Sequence, residues 1–212
     1  MITSQQMKEL EDYADSQGIS TLDLMENAGR GFVEAVKAKY EDMLDGRRVV
    51  IFVGMGNNAG DGFVAARYFA EEFPVIVLLF GALEKMKEEA KKNYEKLDYP
   101  ITLILINTID DLHQFQFQKS VKLLLVDALL GIGVQGEIRE PISLGVDLFN
   151  RLQGIKVAVD VPSGVDPDSG AMVEKHCNVD FIVTFHDLKP GLERYKSKTV
   201  VVDIGIPSKS KK

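Results

Sequence analysis

Short apolar runs alternate with stretches of helical periodicity along most of the chain. Seven runs are nearly continuous in apolar residues, a pattern typical of strands buried on both faces of a sheet. They are 49–53, 75–79, 101–106, 121–126, 157–159, 181–185 and 200–204. Helices are predicted between them at 62–73, 84–96, 110–117 and 142–152. This alternation predicts a doubly wound α/β fold, with a mostly parallel sheet of about seven strands and helices on both faces.

Two further helices are predicted before the first strand. Thr3 with Gln6, and Ser20 with Asp23, have the three-residue spacing of helix start signals. In the second helix, apolar residues follow the three-and-four spacing of a buried face, so this helical N-terminus should pack on the sheet. No repeat or linker interrupts the pattern, which predicts one domain over 1–212 with a frayed tail at 208–212.

Composition narrows the class of protein. Apolar residues make up 45% and charged residues 27%, a globular balance, and no apolar window approaches the length of a membrane span. The formal charge of −7 argues against a nucleic-acid interface. A single cysteine, Cys177, and an N-terminus without an export signal predict a cytoplasmic protein.

Unusual residues follow three of the predicted strands. Asp127 and Asp160 each come directly after an apolar run, and Ser163 follows the second. Because ligands bind at the carboxyl ends of strands in such sheets, both carboxylates should reach one crevice if their strands are neighbours. They could serve as general acid or base, or bind a cation together with the Ser163 hydroxyl. A single aspartate of this kind is commonly a helix cap.

A glycine-rich segment, 54–62, follows the first strand. Gly54, Gly56 and Ala59 give the G-x-G-x-x-A spacing that lets backbone amides approach a phosphate. The dinucleotide fingerprint is incomplete, because the second strand ends Leu79-Phe80-Gly81 without an acid for the ribose. No Gly-Lys-Ser/Thr follows either, which excludes a P-loop.

The same segment carries Asn57, Asn58 and Asp61. If its glycines keep it open as a loop, these side chains suit a polar ligand or a hard cation. The alternative is a strand-to-helix turn in which the Asn and Asp side chains cap the helix.

Other candidates are weaker. His113 and His176 show no zinc-like spacing, and Cys177 has no neighbouring base, which favours a packing role. The residues His186, Asp187 and Lys189 follow the sixth strand at the same end of the sheet and could reach the crevice.

Taken together, several motifs resemble the NAD(P)H-hydrate epimerase family, also called the YjeF N-terminal domain family. They occur in the family's order over essentially the whole chain. They are 24–29 (LMENAG), 56–67 (GNNAGDGFVAAR), 126–133 (VDALLGIG), 158–166 (AVDVPSGVD), 183–185 (VTF) and 189–192 (KPGL).

The resemblance implies a Rossmann-like fold, usually a homodimer, and an isomerase that interconverts the R and S epimers of hydrated NADH and NADPH. A partner dehydratase, which uses the S epimer only, completes this cofactor repair. Potassium is implied at Asn58, Asp127 and Ser163. Substrate contacts are implied at Asn57, Asn58, Ala59, Gly60, Asp61, Gly131, Ile132, Gly133, Val134, Gln135, Gly136, Glu137 and Asp160. Our catalytic hypothesis has Asp160 assist departure of the carbon 6 hydroxyl as acid and then act as base for the returning water.

Two alternatives stay open. One is a nucleotide-dependent oxidoreductase or transferase, against which the missing ribose acid argues. The other is a nucleotide-binding or protein-interaction module without turnover. The presence of all the strand-end acids and hydroxyls favours an enzyme.

Overall fold

The computed structural model describes residues 1–98, 100–113, 120–131 and 136–208. Its strands are β1 (Arg48–Val53), β2 (Val75–Phe80), β3 (Thr102–Ile106), β4 (Leu123–Ala128), β5 (Ile155–Val159), β6 (Phe181–Phe185) and β7 (Thr199–Val202). Its α-helices are α1 (Ser4–Ser16), α2 (Thr21–Tyr40), α3 (Asn57–Ala70), α4 (Glu88–Tyr94), α5 (Ile109–His113) and α6 (Ile142–Arg151). Short 3₁₀ helices cover Glu41–Met43, Leu83–Lys85 and Pro190–Lys198.

All seven strands form one parallel sheet in the order β3-β2-β1-β4-β5-β6-β7. The fold prediction is therefore confirmed, with strand bounds that differ from the predicted ones by a few residues. The strand order reverses between β1 and β4, because the chain first builds outward through β2 and β3 and then returns. Such a switch point opens a crevice at the carboxyl ends of the strands.

The sheet is covered on both faces. Along β1, Val49 and Ile51 contribute to one apolar cluster, and Val50 and Phe52 contribute to the other. This alternation follows from the two-residue period of a strand. The first cluster includes apolar side chains of α2 and α3, and the second includes those of α6. Burial on both faces explains why the strands are nearly continuous in apolar residues.

The predicted N-terminal helices are both present, and both begin with a capping box. The Thr3 hydroxyl accepts from the Gln6 amide at 3.2 Å, and the Ser20 hydroxyl accepts from the Asp23 amide at 3.2 Å. The Gln6 and Asp23 side chains accept from the cap amides in return. Side-chain capping thus fixes where α1 and α2 start.

Helix α1 is held on the domain at its first residues. The Ile2 amide donates to the Leu188 carbonyl at 2.9 Å, and the Ser4 amide donates to Asp168 at 2.8 Å. The terminal ammonium of Met1 pairs with Asp187 at 2.8 Å. These bonds join the start of the chain to segments that follow β5 and β6, at the crevice end of the sheet.

In the described part of the chain, no helix combines the length and apolarity that a bilayer crossing requires.

Candidate functional site

The crevice beyond β1, β4 and β5 brings the predicted segments together. Strand β4 pairs with β1 on one side and with β5 on the other, so the strand that contains Asp127 and the strand that leads to Asp160 are neighbours. Asp127 is the penultimate residue of β4, and Asp160 follows β5 directly. The two strands are adjacent, which is the condition for both carboxylates to reach one crevice.

The glycine-rich segment differs from its prediction. Residues from Asn57 onward form the first turns of α3 rather than an open loop, and no side chain caps the helix at Gly56. Its glycines allow close packing instead. A Cβ at Gly60 would lie 2.6 Å from the Met25 sulfur, and one at Gly62 would lie 2.8 Å from the Ala128 Cβ. The amino end of α3 therefore sits at the carboxyl edge of the sheet, a position from which backbone amides can bind an anion.

Asn58, Asp127 and Ser163 form one connected network. The Ser163 hydroxyl donates to Asp127 Oδ1 at 2.6 Å, and the Ser163 amide donates to Asp127 Oδ2 at 2.7 Å. The backbone of Leu130 joins the third member: its amide donates to Ser163 Oγ at 2.9 Å, and its carbonyl accepts from Asn58 Nδ2 at 2.9 Å. Three residues distant in sequence thus meet around the backbone of a single residue, Leu130.

The Asp127 carboxyl is fully buried among neutral groups. Burial raises its pKa, and hydrogen bonds from Ser163 and from the Leu129 amide oppose this effect. Cys177 lies beside it, and burial together with the Asp127 charge raises the pKa of its thiol well above the usual range. A thiol held in its neutral form is a packing group, as predicted, rather than a nucleophile.

Asp160 is held in an uncommon conformation. Its φ of 62° lies in the left-handed region, which a non-glycine residue adopts at some energetic cost. Three donors converge on its Oδ1 atom: Thr184 Oγ1 at 2.9 Å, the Phe185 amide at 3.1 Å and Lys189 Nζ at 2.5 Å. The side chain is thereby fixed in orientation as well as in position.

Of the three polar residues after β6, Lys189 forms a hydrogen-bonded ion pair with this aspartate. Its ammonium also donates to the Phe185 carbonyl at 2.8 Å. Asp187 instead pairs with the terminal ammonium of Met1, and the His186 amide donates to the Val202 carbonyl. Of the other candidate histidines, His176 lies within hydrogen-bond distance of the Val173 carbonyl. The side chain of His113 is outside the part of the chain that the structure describes.

Two more carboxyl groups interact with Asp160 and Lys189. The pKa of Asp61 is raised well above its usual range by burial, and further by the charges of Asp160 and Glu11. The pKa of Glu11 is raised by burial and then by Asp160. Sequence analysis missed Glu11. Its spacing to Met7 and Ala14, both buried on α1, was the signal that this carboxyl faces the domain.

The segment 131–137 is described only at its ends. Gly131 lies close to Asn58, since a Cβ there would come within 3.2 Å of the Asn58 Cβ. Gly136 has a φ of 84°, and Glu137 is exposed. The predicted substrate contacts at Ile132, Gly133, Val134 and Gln135 lie outside the described residues.

Residues 21–191 match the family model described as YjeF-related protein N-terminus. The chain belongs to this family. Every segment of the crevice lies within the YjeF match, except α1 with Glu11, which precedes it.

Curated relatives in this family are of two lengths. The NAD(P)H-hydrate epimerase of Nitrosopumilus maritimus is 37% identical, over 97% of this chain and 95% of that protein. The NAD(P)H-hydrate epimerase of Cenarchaeum symbiosum is 36% identical, over 100% of this chain and 98% of that protein. The bifunctional NAD(P)H-hydrate repair enzyme Nnr of Archaeoglobus fulgidus is 41% identical over 97% of this chain, which spans only 42% of that protein.

The fold is shared with a solved structure. The crystal structure of the yeast protein YNL200c superposes with a TM-score of 0.80 and covers 95% of this chain and 86% of its own. At 24% sequence identity, this likeness concerns the YjeF fold alone.

Proposed function

We propose that this protein is an NAD(P)H-hydrate epimerase, an isomerase that interconverts the R and S epimers of hydrated NADH and NADPH. Two relatives that carry this name match it over nearly their whole length. The observation that carries the proposal is a pair of carboxyl groups at the crevice of a nucleotide-binding type of sheet: Asp160 accepts three hydrogen bonds on Oδ1, and Asp61 interacts with it electrostatically.

Substrate binding uses the predicted segments. The amino end of α3, with Asn57 to Asp61, offers backbone amides and side-chain amides to the phosphates and ribose of the nucleotide. The segment 131–137 contributes from the end of β4, and Asp160 contributes from the end of β5. These segments flank the switch point of the sheet, which is where such folds bind nucleotides.

Epimerisation at carbon 6 requires one proton donor and one acceptor. When the hydroxyl leaves, the C–O bond breaks with its electron pair on oxygen, a proton joins it to form water, and the ring becomes a cation. Water then adds to the opposite face, and a base takes its proton. The hypothesis drawn from the sequence gives both proton transfers to Asp160.

The electrostatics of the crevice favour two groups instead of one. Burial and the charges of Asp160 and Glu11 raise the pKa of Asp61 well above its usual range, which favours its protonated form, so we assign it as the donor. Asp160 is ion-paired with Lys189, so we assign its carboxylate to stabilise the ring cation and to accept the proton of the incoming water. The reverse reaction exchanges the two roles.

Potassium is proposed at Asn58, Asp127 and Ser163. The residues fit a hard cation, because Asp127 is a fully buried carboxyl contacted by neutral donors, and a buried charge of this kind is costly without a counter-ion. The Asn58 side chain donates through Nδ2 and keeps its carbonyl oxygen for a ligand. A cation here would neutralise Asp127 and order the turn at Leu130 next to the substrate.

The proposed partner enzyme is inferred from the names of the longer relatives. Bifunctional repair enzymes of this family suggest that an NAD(P)H-hydrate dehydratase uses the product. We also propose a homodimer in the cytoplasm, as the resemblance and the single cysteine suggest.

The test compares interconversion of purified R and S NADPH hydrate with and without the protein, at neutral pH in potassium. We expect a rate far above the spontaneous one, and a loss of about 100-fold or more in Asp160→Asn with nucleotide binding retained, as is typical for a group that transfers a proton. Near-normal turnover in Asp160→Asn would remove Asp160 from that role. A folded wild-type protein that binds nucleotide without accelerating interconversion would indicate a binding module instead.

A further inference from the structure

Lys189 is a charged side chain in a fully buried position. Its exposed fraction is 0%, and Asp160 is 9% exposed. Removing an ammonium group from water is expensive, and one ion pair seldom repays the cost through stability alone. A buried lysine of this kind therefore needs an explanation beyond packing.

The side-chain hydrogen bonds of Lys189 join Asp160 to the end of β6. Its Nζ donates to Asp160 Oδ1 at 2.5 Å and to the Phe185 carbonyl at 2.8 Å. The Phe185 amide also donates to Oδ1, so the lysine and the backbone bind the same carboxylate oxygen. Four residues earlier in the chain, Phe185 ends β6, which pairs with β5. The lysine thus ties the carboxylate to the sheet.

These hydrogen bonds hold only one of the two oxygens of the Asp160 carboxylate. The donors from Lys189, Thr184 and Phe185 all reach Oδ1, while the hydrogen bonds of the described residues leave Oδ2 without a donor. The backbone of Asp160 is also fixed, because its amide donates to the Val183 carbonyl at 2.8 Å. An anchored Oδ1 determines the direction in which Oδ2 points.

We propose that Lys189 is a positioning residue of the epimerase, which locks Oδ1 of Asp160 so that Oδ2 alone faces the substrate ring. This inference rests on the proposed function. Lys189 acts mainly through its hydrogen bond to Asp160, and its charge has a smaller effect on Asp61, whose pKa it lowers against the larger effect of burial. One fixed oxygen gives the incoming water a single acceptor at a constant place, which is the geometric condition for efficient proton transfer.

The experiment is a double-mutant cycle on the full chain, with kcat and KM measured for NADPH hydrate. We expect Lys189→Met to lower kcat by about 10- to 100-fold, the range typical of partners that orient a reactive ligand. KM should change less than about threefold, because substrate contacts are unchanged. In the Asp160→Asn background the same substitution should lower kcat by less than about twofold, since the group it positions is gone.

Two results would overturn the positioning role: a wild-type kcat in Lys189→Met, or an equal fold loss in both backgrounds. An inactive wild-type protein would instead refute the proposed function, and the positioning role with it. The matched control is Lys198→Met. Lys198 Nζ donates to the Val179 carbonyl at 2.6 Å at the opposite end of the sheet, so kcat should not change.

If Lys189→Met does not fold, Thr184→Val decides the question. It removes one of the three donors to Oδ1 while keeping the shape of the side chain. We expect kcat to fall about 3- to 10-fold, as the loss of one hydrogen bond from a neutral donor implies, with KM unchanged. An unchanged kcat in this variant would refute the idea that the hydrogen bonds to Oδ1 of Asp160 determine the rate.

Discussion

At the scale of single residues, two carboxyl groups in one crevice differ because their neighbours differ. Asp160 receives an ammonium and two further donors, whereas Asp61 gains burial and the negative charges of Asp160 and Glu11. Sequence reasoning found both aspartates from their places after strands. It could not find the difference, because Lys189, Glu11 and Asp61 are brought together only by the fold.

The raised pKa of Asp61 predicts a stability effect. A carboxyl whose pKa is higher in the folded state binds its proton more tightly there, so stability falls as pH rises from its ordinary pKa through the raised one. Asp61→Asn removes this penalty. At pH 8 we expect Tm to rise by about 2–4 °C, the shift that 1 kcal/mol produces in a domain of this size.

The same substitution should lower kcat by about 100-fold, because an amide cannot donate the proton that the leaving hydroxyl needs. Thermal unfolding at pH 4 and pH 8 with kcat at pH 7 checks both effects, and the gain in Tm should shrink at pH 4. Asp166→Asn is the control, since hydrogen bonds from Ser169 lower the pKa of that carboxyl instead. A Tm gain equal at both pH values would contradict the assignment.

At the scale of elements, α3 shows where local and tertiary preferences conflict. Gly and Asn residues are weak helix formers, so the sequence predicted a helix from residue 62, yet α3 begins at Asn57. Close packing decides the matter, because the glycine faces of α3 lie against α2 and the sheet where no side chain would fit. The residues for which the sequence predicts a loop therefore lie at the crevice as the amino end of α3.

This packing predicts that Gly62→Ala destabilises the protein despite the better helix propensity of alanine. The new Cβ would lie 2.8 Å from the Ala128 Cβ and 2.9 Å from a Val53 methyl, and both belong to central strands. We expect a net loss of about 1–2 kcal/mol from overpacking, measured by urea unfolding. Gly56→Ala is the control, because its Cβ would meet nothing within 4 Å. Equal stability of the two variants would contradict the close-packing role.

At the scale of the whole molecule, the crevice is assembled from the two ends of the described chain and its middle. Helix α1 is held by hydrogen bonds from Ile2 to Leu188 and from Ser4 to Asp168. These bonds place Glu11 near Asp160 and Lys189, which come far later in the sequence. The network of Asn58, Asp127 and Ser163 likewise spans three strand ends.

A cation bound to that network should stabilise the fold as a whole. We expect Tm to fall by a few degrees when potassium is replaced by tetramethylammonium at constant ionic strength, because a ligand that binds only the folded state adds stability. Ser163→Ala should abolish this difference. The exposed Ser169→Ala should retain it, which separates a specific site from a general salt effect. A Tm that is the same in both salts would refute the potassium proposal.

The sequence by itself determined the order of elements, the parallel sheet and the positions of the aspartates at strand ends. Buried strands and helix caps each produce a local pattern of residues that can be recognised without the fold. Tertiary structure alone decided the start of α3, the burial of Lys189 and the contribution of Glu11. The physical reason is the same for all three. Each depends on close packing or on charge interactions between segments far apart in sequence, and such energies exist only when the segments have met.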